Sequence, residues 1–271
     1  MKISKLTAFI TAAACIGCFT GCGQKSKNDT SEKKQTATEA AVEATMPVVG
    51  GDELTADNFD EDKYLEKVNE KVKDEEASDK PVELGSVGDI ITPAEGSQEV
   101  ELGDYRISDS GVKLYYDENE FPTEMVLTLE KFFTAFSTAD YSLYTSCVFP
   151  SYVEEMEKFL KKDYDYDLKT SFATQCARLA SQMKGDYKIT RVKVEPAEQY
   201  KEGEDNIDGY FSNLDSIFET DFYERVKSES DELIDACFYV MAEGSDGKES
   251  MLVSECEIVF AVKDGKYYTF G

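Results

Sequence analysis

The sequence predicts an α+β domain, with helices first and a mostly antiparallel sheet after them, preceded by a disordered tether. Three observations predict it. From Met125 to Met183 apolar residues recur at three- and four-residue spacing, the period of a helix buried on one side. After Asp235 the pattern changes to β runs separated by Asp246-Gly247 and Asp264-Gly265, and Asp-Gly between such runs is a strong hairpin signal. Residues 23–60 are mostly Lys, Thr, Ser, Glu and Ala, with too little apolar surface to fold on their own. Helices followed by antiparallel strands define the α+β class.

Taken in order, residues 61–75 place Tyr64, Leu65, Val68 and Val72 at helical spacing, a short amphipathic helix that would be marginal alone. Read with their neighbours as flexible coil, residues 22–84 form an acidic tether with a root-mean-square reach of roughly 45 Å. Such a tether contributes little to folding, because it buries too little to offset chain entropy. Residues 85–120 hold a small hairpin, Tyr105-Arg106-Ile107 turning through Asp109-Ser110-Gly111 into Val112–Tyr115. Two strands are hardly stable alone, so the hairpin is expected to pack on the domain C-terminal to it.

The domain proper covers residues 121–271. Its first helix carries Met125, Val126, Leu129, Phe132, Phe133 and Phe136 as one stripe. Asp140 caps a second, with Leu143, Tyr144, Cys147 and Val148, which Pro150 stops. Ser151 and Glu154 read as the capping box of a third, buried through Val153, Met156, Phe159 and Leu160. Leu168, Phe172, Cys176, Leu179 and Met183 mark a fourth, ended by Gly185. A strand comes next with Tyr187, Ile189, Val192 and Val194, and its change of parity places a bulge near Thr190-Arg191. Phe211, Leu214, Phe218, Phe222 and Val226 mark a fifth helix. Cys237–Glu243, Met251–Val262 and Lys266–Phe270 then form a three-stranded meander.

The N-terminus carries an address. Met1–Lys5 holds two lysines and no acid, and Leu6–Phe19 is an apolar run broken only by threonine and glycine, the pattern of a secretory signal. A spanning helix needs about 20 apolar residues, and this run is shorter and backed by Gln24, Lys25 and Lys27. Phe19-Thr20-Gly21-Cys22 resembles the lipobox of bacterial lipoproteins, with phenylalanine where leucine is usual. Cys15 would truncate the apolar run, and Cys18 follows Cys15-Ile16-Gly17, so both fit less well. The resemblance implies a signal peptide over residues 1–21, lipid on Cys22, and attachment to the extracytoplasmic face of the cell membrane.

Loss of residues 1–21 removes Lys2 and Lys5, leaving 27 of the 29 basic residues against 56 acidic ones, a formal charge of −29. That excess disfavours nucleic acid, whose phosphates need clustered Lys and Arg. An anionic headgroup surface would repel the folded body, which leaves attachment to the anchor. Histidine is absent, which excludes Ser-His-Asp and Cys-His catalysis and the commonest transition-metal ligand. Cys147, Cys176, Cys237 and Cys256 show no CxxC spacing, so no zinc or redox site is indicated.

Within the domain, Phe132-Phe133-Thr134-Ala135-Phe136-Ser137-Thr138-Ala139-Asp140-Tyr141 resembles the start of nuclear transport factor 2-like domains found in many bacterial lipoproteins. Val262-Lys263-Asp264-Gly265-Lys266-Tyr267-Tyr268 is similar to their last hairpin. The likeness spans about residues 121–271 and departs from that fold in the extra helices between Ser151 and Lys184. It implies a curved sheet, nuclear transport factor 2-like or cystatin-like, wrapped round a long helix with room for a pocket.

Asp163, Asp165 and Asp167 alternate as in a calcium loop, but Leu168 and Thr174 occupy the positions of the required glycine and glutamate. A helix-capping acidic turn is the better account. Cys176 shares a stripe with Phe172 and Leu179 and reads as a small core residue. Tyr164, Tyr166, Tyr200, Tyr210 and Tyr223 could line a groove but suit ordinary half-buried packing. With Asp246-Gly247 as the two central turn residues, Cys237 opposes Cys256, Tyr239 opposes Ser254 and Met241 opposes Leu252. Phe238 and Val240 then oppose Glu255 and Val253 on the other face. The first face is the expected core side, Cys237 and Cys256 a candidate cross-strand pair, and Tyr239 and Ser254 candidate pocket-facing residues.

The expectation is a membrane-anchored extracytoplasmic lipoprotein whose domain binds an envelope protein or small ligand without catalytic residue, cofactor or metal. The alternative is a small-pocket enzyme on a nuclear transport factor 2-like scaffold using Asp, Tyr or Arg191. A pocket with a buried, shifted carboxylate would favour the enzyme, since superfold likeness alone cannot decide. A two-lobed solute receptor needs more chain than lies beyond the tether.

Overall fold

A computed structural model describes residues 59–197 and 206–271. Seven α-helices are present among them: α1 Glu61–Val72, α2 Thr123–Thr138, α3 Tyr141–Cys147, α4 Pro150–Tyr164, α5 Leu168–Gln182, α6 Asn206–Phe218 and α7 Phe222–Glu229. The strands are β1 Arg106–Ile107, β2 Lys113–Tyr115, β3 Tyr187–Glu195, β4 Glu232–Gly244, β5 Glu249–Lys263 and β6 Lys266–Thr269. They form one curled sheet in chain order, every neighbouring pair antiparallel except β2 and β3, which are parallel and joined through α2–α5. The class is the expected α+β, with the 105–115 hairpin built into the sheet edge.

The α2 stripe is wholly buried and packs on the inner sheet face, where Phe133 meets Phe238 with ring centroids 5.4 Å apart. Phe136, Tyr144 and Phe172 tie α2, α3 and α5 together, at centroid separations of 5.4, 5.3 and 4.9 Å. Asp140 caps α3 by accepting from the Leu143 amide, and Asp167 caps α5 by accepting from the Thr170 amide, as expected of each. Asp165 ends α4 in the left-handed conformation, which completes the capping account of the acidic turn. The bulge in β3 falls between Ile189 and Arg191.

Four expectations are corrected. The helix at Glu61–Val72 belongs to the domain: Val68 and Val72 are 2% and 1% exposed, and Val82 is buried too. The segment after it is also tied down, with the Ser78 amide donating to Thr145 Oγ1 at 2.8 Å and the Val82 amide to the Ser146 carbonyl at 3.1 Å. The tether expectation therefore fails over 59–84, and its remainder lies outside the described residues. Its low apolar content was misleading because the few apolar side chains it has are concentrated on the core: Phe59, Tyr64 and Leu65 pack beside the buried Val68 and Val72.

The second correction concerns α4, which starts at Pro150 with Phe149 as an N-cap lacking any side-chain bond. Ser151 is not the head of a capping box; its hydroxyl donates to Glu229, while Glu154 pairs with Arg225. A proline at the first helical position needs no amide partner, so the cap is dispensable. The third is that the apolar run 211–226 is two helices, separated at Glu219, whose φ is +57°.

The fourth is the β4–β5 register. The Gly247 amide donates to the Gly244 carbonyl and the Gly244 amide to the Lys248 carbonyl, each at 3.0 Å, so the loop has three residues, with Gly247 at φ +74°. A type I turn followed by a left-handed glycine is the common geometry for that length. Met241 consequently opposes Met251, not Leu252. An extra β5 residue at Leu252 restores the expected Val240–Val253 pair, and a second bulge at Ser254-Glu255, with Glu255 at φ +45°, shifts the register again. Cys256 then opposes Phe238, and Cys237 opposes Glu257. The core face is also the reverse of the one expected: Phe238, Val240 and Ala242 are buried, whereas Cys237, Tyr239 and Met241 are half-buried on the outer face.

Candidate functional site

The parallel pair β2–β3 creates an opening in the fold. Beyond the carboxyl ends of these two strands lies an open cleft of about 680 Å³. One wall is Tyr105 with Arg106 of β1, the floor is Leu114–Tyr115 with Lys193–Val194, and the far wall is the loop Tyr116–Glu120. A 3-10 turn, Gln98–Leu102, closes one end, and Gly103 at φ +88° lets the chain reverse from that turn into β1. Ligand sites on parallel strands form at this position because the connections diverge there and leave a crevice.

The cleft walls are held in place. Asp117 accepts from the Asn119 amide at 2.9 Å and its side-chain nitrogen at 2.8 Å, bonds that keep the Asp117 carboxyl below its ordinary range. Tyr116 shares a 2.7 Å hydrogen bond with Thr123 at the start of α2. Arg106 donates through Nε to Glu118 at 2.5 Å and through Nη1 to the Gly88 carbonyl at 2.6 Å. Lys193 pairs with Glu195 at 2.6 Å. The rings of Tyr105 and Tyr115 lie 5.1 Å apart, and the Lys113 ammonium sits 5.0 Å from the Tyr105 centroid. Tyr115 is 1% exposed, and its hydroxyl has no hydrogen-bond partner. Burial first, and the nearby Glu99 second, push that hydroxyl up to about 12.

A buried carboxylate exists, but outside the cleft. Glu130, on α2, accepts from the Ser110 hydroxyl through one oxygen, its other oxygen lacks a partner, and burial raises its pKa against the Ser110 bond. Ser110 in turn lies 2.8 Å from Ser108, which accepts from the Val112 amide, so Glu130 fastens the β1–β2 turn to α2. Sequence reading missed it, although a signal was present: Glu130 is four residues after Val126 and three before Phe133, inside the apolar stripe.

The other candidates disperse. Arg191 bonds Glu249 at 2.8 Å and approaches Glu99 at 3.8 Å, a network that also holds Lys113 and Thr190 on the outer sheet face. Tyr239 faces outward with the Lys193 ammonium 6.0 Å from its centroid; Ser254 is exposed in the bulge, and neither lines the cleft. Cys237 and Cys256 are not opposed and no disulfide joins them. Burial pushes the Cys147 thiol up to about 12, that of Cys237 up to about 11, and that of Cys176 higher still, which agrees with a core role for Cys176. Tyr164 and Tyr166 pair at the α4–α5 turn, while Tyr223 stacks on Phe211 at 4.6 Å. Tyr210 also packs on Phe211, at 5.3 Å, and none of Tyr164, Tyr166, Tyr210 and Tyr223 lines the cleft. Tyr200, Cys22 and the residues before it lie outside the described residues.

No helix among the described residues is long and apolar enough to cross a membrane. No family model, no curated protein and no solved structure matches the chain.

Proposed function

We propose that the protein is a lipid-anchored extracytoplasmic binding protein, held to the membrane through Cys22, whose ligand occupies the cleft at the ends of β2 and β3. The observation that carries the reading is the cleft itself, preformed and braced by Arg106–Glu118 and Asp117–Asn119. Its volume lies in the range of small-molecule sites. The anchor rests on Phe19-Thr20-Gly21-Cys22 at the end of the apolar run. Binding is favoured over the small-pocket enzyme because the buried carboxylate whose pKa is raised, Glu130, does not line the cleft. A proton-transferring group must lie within about 3 Å of the atom it serves.

A photo-crosslinking residue at Ile90, on the cleft mouth, tests the reading in intact cells. Ultraviolet adducts at position 90 but not at Lys158, on α4, are expected by mass spectrometry. Equal adducts at both positions, or none at Ile90, would remove the cleft from consideration.

A further inference from the structure

The cleft has a chemical signature that narrows its ligand. Six carboxylates line it, on Glu101, Asp104, Asp117, Glu118, Glu120 and Glu195, against two cations, Arg106 and Lys193. Both cations are already neutralised inside the wall, Arg106 by Glu118 and Lys193 by Glu195. Glu101, Asp104, Asp117 and Glu120 have no cation within ion-pair distance among the described residues, so the cleft presents excess negative charge. Its accessible aromatic surface is tyrosine, from the half-buried Tyr105 and Tyr116, and tyrosine faces attract cations. Tyr105 already does so toward Lys113. At the mouth, Ile90 and Val100 are 54% and 48% exposed, the two most exposed large apolar side chains among the described residues.

From this combination we infer that the cleft binds an organic cation, an ammonium or guanidinium group carried on an apolar body. The charged head lies among the tyrosines and unpaired carboxylates, and the body lies across Ile90 and Val100. An inorganic cation would leave the apolar mouth wet, and an anion would face the unpaired carboxylates. The inference rests on the cleft being a ligand site, as proposed above.

The test is calorimetric titration of the full-length protein in nanodiscs of neutral lipid, with empty nanodiscs subtracted. Four probes separate the contributions: phenethylammonium, phenethyl alcohol, 3-phenylpropanoate and methylammonium. Phenethylammonium is expected to bind at least tenfold more tightly than the other three. The double variant Glu101→Gln/Asp104→Asn should weaken it about tenfold and Ile90→Ser should also weaken it. Glu61→Gln/Asp62→Asn on α1 removes the same charge away from the cleft and should leave binding unchanged. Equal binding of the alcohol, or equal loss in the α1 variant, would overturn the inference, the latter by showing general attraction to an acidic protein. Preferential binding of 3-phenylpropanoate, lost in Ile90→Ser, would overturn the cation class and leave the binding function standing. If none of the four binds, both fall.

Discussion

Docking of α1 can be tested by the paired substitution Val68→Ala/Val72→Ala. Both side chains are 2% exposed or less and face α5 from one side of α1, four residues apart. Each change deletes two carbons from a closed interface, at about 0.8 kcal/mol per buried methylene, so the transfer cost is about 3 kcal/mol for the pair. Residual cavities add to it, giving roughly 3–5 kcal/mol. For a folded unit of this size about 1 kcal/mol corresponds to roughly 2–4 °C, so a fall of about 10 °C in midpoint is expected. More than the helix depends on this contact. Glu75, just beyond α1, accepts from the Tyr141 and Ser142 amides at 2.6 and 3.3 Å and satisfies the start of α3, while Lys169 on α5 donates to the Lys73 carbonyl at 3.2 Å. A chain beginning at Gly85 loses all of these together with Val82, and its cooperative transition should be lost or strongly lowered. Thermal unfolding followed by circular dichroism measures both, with the exposed Glu66→Gln as control. A midpoint within about 2 °C of the parent for the double variant, or an undiminished transition in the shortened chain, would show that α1 is not part of the cooperative unit.

Three further outcomes are expected. Cys22→Ala should abolish incorporation of a clickable fatty acid, and unchanged labelling would refute the anchor. Glu130→Gln should flatten the dependence of stability on pH. The folded state holds the Glu130 proton above the ordinary value of 4.5, so it binds more protons than the unfolded chain between that value and the raised one. Stability contributed by the parent therefore falls as pH rises through this window. Urea unfolding should show variant and parent alike at pH 4 and the variant more stable at pH 7, where parallel profiles would refute burial as the cause. Finally, alkylation under denaturing, non-reducing conditions should modify Cys147, Cys176, Cys237 and Cys256 alike, because Cys237 and Cys256 point to opposite faces of the sheet. Protection of Cys237 and Cys256 alone would require a different β4–β5 register.

Much of the local architecture is encoded within a few residues of where it appears. The α2 stripe, the Asp140 and Asp167 caps, the bulge at Ile189–Arg191 and the Asp264-Gly265 turn all derive from side-chain period, short-range hydrogen bonding or left-handed backbone preference. The proposed anchor at Cys22 rests on a short local pattern as well, Phe19-Thr20-Gly21-Cys22 at the end of the apolar run. The β4–β5 register is not local in that sense. A three-residue loop and two bulges each move the pairing by one residue, and a one-residue slip exchanges the faces of a strand. Placing Phe238, Val240 and Ala242 inside depended on which face α2 could cover. Burial of Val68 and Val72 likewise depended on an α5 surface about a hundred residues away in the chain. The cleft is the extreme case, since residues from Ile90 to Pro196 meet only because β2 and β3 run parallel with four helices between them. Short-range periodicity determines which segments are helices and strands; the closing of long loops determines which of their faces meet, and therefore where a ligand can sit.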